Sequence, residues 1–181
     1  MITNTNQSRN FSVIKKQNLF EIINKKLLAD HNGNSVVVPH VCNNVNAFGA
    51  GFAGQVASLY PEVKANFHLL GHQAKLGHTQ FVTVGTNKKY NHQLIFANMV
   101  SQNKLISTNN KRPLHYGALV YSMNNVRSYI KNLEKIYPDA NKIEIHAPKF
   151  GSGLAGGNWN FIADLIEDIW FDIPVFIYTF K

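Results

Sequence analysis

Residues 34–54 read NSVVVPHVCNNVNAFGAGFAG, and this stretch decides how the rest of the chain is read. The β-branched run Val36-Val37-Val38 has the character of a strand buried on both faces. It gives way to His40-Val41-Cys42-Asn43, and six residues after Asn43 the chain becomes Gly49-Ala50-Gly51. Open α/β sheets collect ligands beyond the carboxyl ends of their strands. A glycine turn at that place lets backbone N–H groups approach a phosphate, and a following helix adds partial positive charge.

A second segment is built the same way. PKFGSGLAGGNW, residues 148–159, follows the alternating strand pattern KIEIHA and precedes the helical pattern NFIADLIEDIWF. Neither segment is a P-loop, since neither ends in Gly-Lys-Ser/Thr. One Gly-x-Gly alone is weak evidence. Two of them, each between a strand and a helix, point to a diphosphate held between facing loops.

Working outward, FSVIKK predicts an edge strand, and LFEIINKKLLAD a helix with Leu19, Ile22, Ile23, Leu27 and Leu28 on one side. FAGQVASLYPEVKANFHLL predicts a helix interrupted at Pro61, which either ends one helix or opens the next turn. QFVTVGT and HQLIFANMV, joined by a polar connection over 86–92, predict an antiparallel hairpin. Pro113 suits the first turn of a long helix running to about Tyr137, with Leu119, Met123, Val126, Ile130 and Leu133 buried. PVFIYTF predicts the last strand. There is no repeat, composition break or low-complexity linker. The expected architecture is a single α/β domain over 1–181, with 1–10 as a flexible N-terminal extension. Its form is a three-layer α/β/α sandwich around a mixed, mostly parallel sheet.

Composition limits the functional classes. With 45% hydrophobic and 15% charged residues in 181, the chain can bury a sizeable core and is not a disordered segment. The single cysteine, Cys42, excludes an intramolecular disulfide framework. The polar start MITNTNQSRN is not a signal peptide and no apolar run has membrane-spanning length. The expectation is a cytoplasmic protein (host cytoplasm for a viral one) with no membrane partner. The net charge of +8, with 18 Lys and Arg against 10 acids, favours anionic partners. Those cations are dispersed in pairs without an aromatic-spaced pattern, so nucleic acid is the disfavoured partner.

HVCNNVNAFGAGFAGQVASLYP resembles the first ligand loop of macrodomains, in the branch of ADP-ribose-1''-phosphate phosphatases and ADP-ribosyl-glutamate hydrolases. IHAPKFGSGLAGGNW resembles the second loop of that family, VIKKQNLFE its opening strand and VFIYTF its closing strand. The likeness spans residues 11–180, and the second loop is its most specific element. It implies a pocket for ADP-ribose or ADP-ribose-1''-phosphate, with an ADP-ribosylated protein as a further partner and with no cofactor or metal. Position by position, it implies Asn43 at the distal ribose and Gly49, Ala50, Gly51 and Phe52 around the diphosphate or the distal ribose. Gly151, Ser152, Gly153, Leu154 and Ala155 would form the facing wall, with Tyr178 near the adenine. Where the family has Gly-Asp, this chain has Gln17-Asn18. Asn18 can still accept from the adenine amino group, without the strengthening that a charge brings.

Catalysis divides the readings. His40 matches the histidine of phosphatase-type members and could activate water or protonate a leaving group; it could equally be packed beneath the loop, donating to a carbonyl. The lysine–aspartate pair of the glutamate-ester hydrolases has no counterpart: Ala155 stands at the aspartate position, and Ser101-Gln102-Asn103 follow the strand where the lysine would be. Gln102 could reach a ligand from its loop. His68, His72 and His78 lack an acidic or cysteine companion and read as surface or turn residues. His146 reads as a strand histidine beneath the second loop, and Cys42 as packing. Two functions stay open: a hydrolase releasing phosphate from ADP-ribose-1''-phosphate or cleaving an ADP-ribosyl ester, and a non-catalytic reader of ADP-ribose or a related NAD-derived nucleotide.

Overall fold

The computed structural model describes residues 9–28, 34–89, 91–138 and 142–179. The elements run β1 (Ser12–Lys15), α1 (Leu19–Leu28), β2 (Ser35–Asn43), α2 (Gly51–Leu59), α3 (Pro61–Leu70), β3 (Thr79–Asn87), β4 (His92–Gln102), α4 (Tyr116–Ile136), β5 (Ile143–Pro148), α5 (Trp159–Ile169) and β6 (Val175–Thr179). A single turn of 3-10 helix, Gly71–Gln73, separates α3 from β3. The sheet order is β1-β6-β5-β2-β4-β3. Every neighbour pair is parallel except β3 with β4, the expected hairpin.

Strand alternation divides the core into two layers. On one face Val37, Ile95, Ala97, Ile145, Ala147 and Ile177 pack against α4 and α5, through Leu119, Met123, Val126, Ile130, Ile162 and Ile166. On the other, Val36, Val38, Leu94, Phe96 and Val100 meet α1, α2 and α3 through Leu19, Ile23, Val56, Val63 and Phe67. Both faces of β2 are thus covered, which is why its sequence is apolar without alternation. The predicted three-layer sandwich with a mixed, mostly parallel sheet is what forms.

The helix boundaries follow local chemistry. Asn18 caps α1, its Oδ1 accepting from the Phe20 amide at 2.9 Å, and Lys25 and Lys26 sit in the last turn where the helix dipole favours cations. Pro61 does both things allowed for it: α2 ends at Leu59 and α3 opens with Pro61 at its first position. The fourth helix departs from expectation. It begins at Tyr116 rather than Pro113, because His115 is the cap, with Nδ1 accepting from the Ala118 amide at 3.0 Å. Pro113 and Leu114 serve the site instead: the Pro113 carbonyl accepts from the Asn103 amide, and the Leu114 amide donates to the Ala155 carbonyl.

Of the expected N-terminal extension, residues 1–8 lie outside the described residues. Arg9 and Asn10 are tied to α5, Arg9 by ion pairs to Asp164 and Glu167 and Asn10 by a backbone bond to Glu167. Among the described residues, no helix is long and apolar enough to cross a membrane.

Candidate functional site

The carboxyl ends of β2, β4 and β5 open onto a cavity of about 710 Å3. Three loops wall it. The first leaves β2 after a register shift between Cys42 and Asn43, where Ser101 of β4 is the extra residue and the Asn44 amide still bonds the Gln102 carbonyl. Asn43 then organises the loop: its Oδ1 accepts from the Val45 and Ala47 amides, and its Nδ2 donates to the Ala47 carbonyl at 2.7 Å. Phe48 inserts as an anchor, edge-on to the His40 ring and 5.2 Å from the Phe67 ring centre. The chain next doubles back so closely that a Cβ on Gly54 would lie 2.8 Å from the Gly49 carbonyl oxygen.

Helix α2 starts here with Ala50 as its cap, and no side chain satisfies its first turn. Helical geometry leaves first-turn N–H groups without an intrahelical acceptor. Gly51 and Ala53, in that turn, line the cavity. By contrast the N-terminus of α5, behind the second loop, is already capped by Asn158, whose Oδ1 accepts from the Asn160 and Phe161 amides. The anion-attracting helix end at this cavity is therefore that of α2.

The second loop is shaped by its own bonds, Gly157 amide to Gly151 carbonyl at 2.8 Å and Gly156 amide to Gly153 carbonyl at 2.9 Å. Phe150 pins its base between Trp159 and Trp170. Lys149 lies over the Trp159 ring, 5.3 Å from its centre, and is the one charged side chain among the cavity-lining residues. Leu154 reaches across the gap: its Cδ1 would lie 3.5 Å from a Cβ on Gly51. A Cβ on Gly49 or Gly153 would meet nothing within 4 Å, so those two positions face open space.

The third wall is residues 103–112. Asn44 holds it to the first loop by accepting from the Lys104 amide and donating to Asn103 Oδ1. Asn110 Nδ2 donates to the Asn103 and Leu105 carbonyls. Leu105 and Ile106 are thereby presented to the cavity, beside Gln102. No hydrophobic periodicity marks such a loop, and the asparagines that fix it were the only available signal.

The cavity brings together His40, Asn43, Gly49, Ala50, Gly51, Phe52, Gly151, Gly153, Leu154 and Ala155. Ser152 flanks it, its hydroxyl donating to the Lys149 carbonyl. Asn18 is outside the lining, occupied as the α1 cap. Tyr178 is 2% exposed, and its ring belongs to the core layer under α1 and α2. Its hydroxyl lies 2.8 Å from His146 Nδ1, while His146 Nε2 lies 2.8 Å from Glu144 Oε2. A carboxylate only accepts, so His146 donates to Glu144 through Nε2 and accepts from Tyr178 through Nδ1. Burial alone would raise the Glu144 carboxyl, yet hydrogen bonds from His146, Lys26 and Asn34 together with the Lys26 charge hold it at about 2.

The tautomer of His40 follows from the same accounting. Gln80 Nε2 donates to the Asn66 carbonyl, so Gln80 Oε1 must be the acceptor for Asn98 Nδ2 at 2.9 Å. Asn98 Oδ1 is then left to accept from His40 Nε2–H at 2.7 Å. The remaining ring nitrogen, Nδ1, faces the Cys42 sulfur at 3.8 Å and accepts from the thiol S–H. The ring is 1% exposed and enclosed by Phe48, Phe52 and Phe96. Burial pulls its pKa down to about 4 against a smaller opposing effect of the Asn98 bond, and burial likewise pushes the Cys42 thiol up. At neutral pH His40 is an uncharged imidazole with both nitrogens engaged.

The other expected histidines are dispersed. His68 Nδ1 bonds Asn46 Oδ1 at 2.9 Å, and among the described residues no three His, Cys, Asp or Glu side chains gather as metal ligands. A smaller cavity of about 270 Å3, lined by Ser35, Gln93, Leu133 and Lys142, includes no residue of the glycine loops.

Solved structures share this architecture. A Bacteroides thetaiotaomicron protein superposes with a TM-score of 0.71 at 21% identity, over 94% of this chain and 99% of that one. A Streptomyces coelicolor macrodomain protein does so with a TM-score of 0.67 at 24% identity, over 94% of this chain and 99% of that one. This chain has the macrodomain fold. A third match, Thermosipho africanus DarTG in complex with ADP-ribose, covers 79% of this chain and 37% of that one, with a TM-score of 0.60 at 20% identity. No family model and no curated protein matches the sequence. In this fold, then, the two glycine loops and the start of α2 lie where the topology puts a ligand, beyond the strand ends.

Proposed function

We propose that this macrodomain binds ADP-ribose in the cavity between its glycine loops. The observation that carries the reading is the uncapped start of α2, opening on a cavity of about 710 Å3 between two glycine-rich loops. Backbone amides at Gly51 and Ala53, facing Gly151 and Gly153, suit a diphosphate. Lys149 adds a positive charge to the lining, which has no carboxylate among the described residues to repel an anion. The ADP-ribose bound by the Thermosipho protein supports the same ligand here.

The test is calorimetric titration of wild type and Gly49→Val with ADP-ribose. A Cβ at Gly49 meets nothing within 4 Å, so the variant is expected to keep its fold while filling space that the ligand needs. Expected is one-to-one binding by wild type and a loss of about 100-fold in Gly49→Val, roughly 2.7 kcal/mol, with unchanged melting temperature. Equal affinity in both proteins would contradict this placement.

The geometry of His40 favours the reader over the hydrolase. A general base needs a lone pair within hydrogen-bond reach of the water it activates. His40 presents Nε2–H to Asn98 and Nδ1 to Cys42 instead. With ADP-ribose-1''-phosphate, the expected result is binding without phosphate release. Phosphate release by wild type that disappears in His40→Ala, with ADP-ribose affinity retained, would restore the hydrolase.

A further inference from the structure

Beside the cavity mouth, three aliphatic side chains stand in solvent on two loops bolted together. Val45, Leu105 and Ile106 are 47%, 48% and 49% exposed. Asn44 bonds both Lys104 and Asn103, so Val45 and Leu105 each stand one residue along from the tie between the two loops. Leu105 and Ile106 continue into the cavity lining. A single exposed aliphatic is ordinary, but three on two joined loops at a binding mouth mark an interaction site. The hydroxyls and phosphates of ADP-ribose give such side chains little to bury against.

We infer that this lip receives an aliphatic side chain of an acidic polypeptide that carries the ADP-ribose, an inference that rests on the ADP-ribose reading of the cavity. Charge selects the kind of partner. Between Glu62 and Glu134 the sequence has nine Lys or Arg and no Asp or Glu. Lys104 and Lys111, in the loop that carries the lip, pair with no carboxylate among the described residues. Arg112 rests on the Tyr116 ring at 4.5 Å, with no acid beside it. A positive field of this kind steers an acidic segment to the mouth. The lip itself is aliphatic and offers no ring on which a base would stack, so a polypeptide fits it better than a nucleic acid does.

The experiment uses four probes: free ADP-ribose, two synthetic acidic peptides bearing ADP-ribose through a stable oxime linkage, and an ADP-ribosylated single-stranded oligonucleotide. The peptides differ only at the residue flanking the attachment point, Val in one and Ser in the other. Wild type is expected to prefer the Val peptide by about tenfold, the effect of burying one aliphatic side chain. Val45 is outside the cavity lining, so Val45→Ser should bind free ADP-ribose within about twofold of wild type while its preference between peptides shrinks to about threefold or less. Val45→Ile should restore the preference. Equal binding of the two peptides by a wild type that still binds free ADP-ribose overturns the lip alone, as does tighter binding of the oligonucleotide than of either peptide. Failure of wild type to bind free ADP-ribose overturns the reading of the cavity and the lip with it.

Discussion

Gly156→Ala is expected to destabilise the protein by about 3 kcal/mol or more, combining left-handed backbone strain with a backbone collision. Gly156 has φ +71°, a region that costs an L-residue about 1–2 kcal/mol. A Cβ there would also lie 2.5 Å from the Lys111 carbonyl oxygen and 3.1 Å from the Arg112 Cα. Both are backbone atoms, so relief requires the second loop to part from residues 111–114. That separation would stretch the Leu114–Ala155 hydrogen bond and withdraw one wall of the cavity. Urea denaturation reads the loss as a lower midpoint, and the variant should bind ADP-ribose poorly even where it is folded. Gly153→Ala is the control: its φ is not positive and its Cβ meets nothing within 4 Å, so its stability should change by less than about 0.5 kcal/mol.

The second large effect is on acid stability. His40 titrates at about 4 in the folded protein against 6.5 when unperturbed, because burial penalises its charged form. As pH falls below 6.5 the unfolded chain takes up this proton while the folded chain does not. Stability is therefore complete above pH 6.5 and lost between 6.5 and 4, on the order of 3 kcal/mol from this residue. His146, whose pKa is also lowered chiefly by burial, acts in the same direction. Glu144 works in a different window. Held at about 2 against 4.5 when unperturbed, it supplies stability above pH 4.5 that disappears as pH falls from 4.5 to 2. The expected melting profile thus declines in two stages, histidines first and Glu144 second. In His40→Gln the upper stage should flatten by about 1 kcal/mol per pH unit. Parallel declines in wild type and His40→Gln would show that His40 is not the group responsible.

Much of the architecture was legible because the strand and helix periods are strong. The Val36–Val38 run, the hairpin of QFVTVGT and HQLIFANMV, and the two strand–glycine–helix segments each follow from local pattern. The start of α4 was not legible from Pro113, because tertiary bonds from Asn103 and Ala155 claim Pro113 and Leu114 before the helix can use them. The site residues divide along the same line. Glycine positions follow from backbone requirements, and the fold brings Gly49, Gly51, Gly151 and Gly153 to one cavity; Asn18 and Tyr178 have side chains whose partners are set by packing. Asn18 is spent on the Phe20 amide and Tyr178 on His146. His40 could be read two ways because its tautomer depends on Gln80 and Asn98, on two other strands, and on the Asn66 carbonyl in α3. Leu105, Ile106 and Lys149 came to light only when the third loop and the Trp159 ring were placed beside the cavity.

The central claim is that ADP-ribose lies between the two glycine loops against the start of α2. Amide NMR of the 15N-labelled protein during titration with ADP-ribose tests this most directly, since glycine amides are resolved from the rest. The account predicts that Gly49, Gly51, Gly151 and Gly153 shift together and saturate at one equivalent, while Ser35, Gln93 and Lys142 at the smaller cavity stay still. Shifts confined to that smaller cavity, or spread over the basic surface and erased by salt, would contradict it.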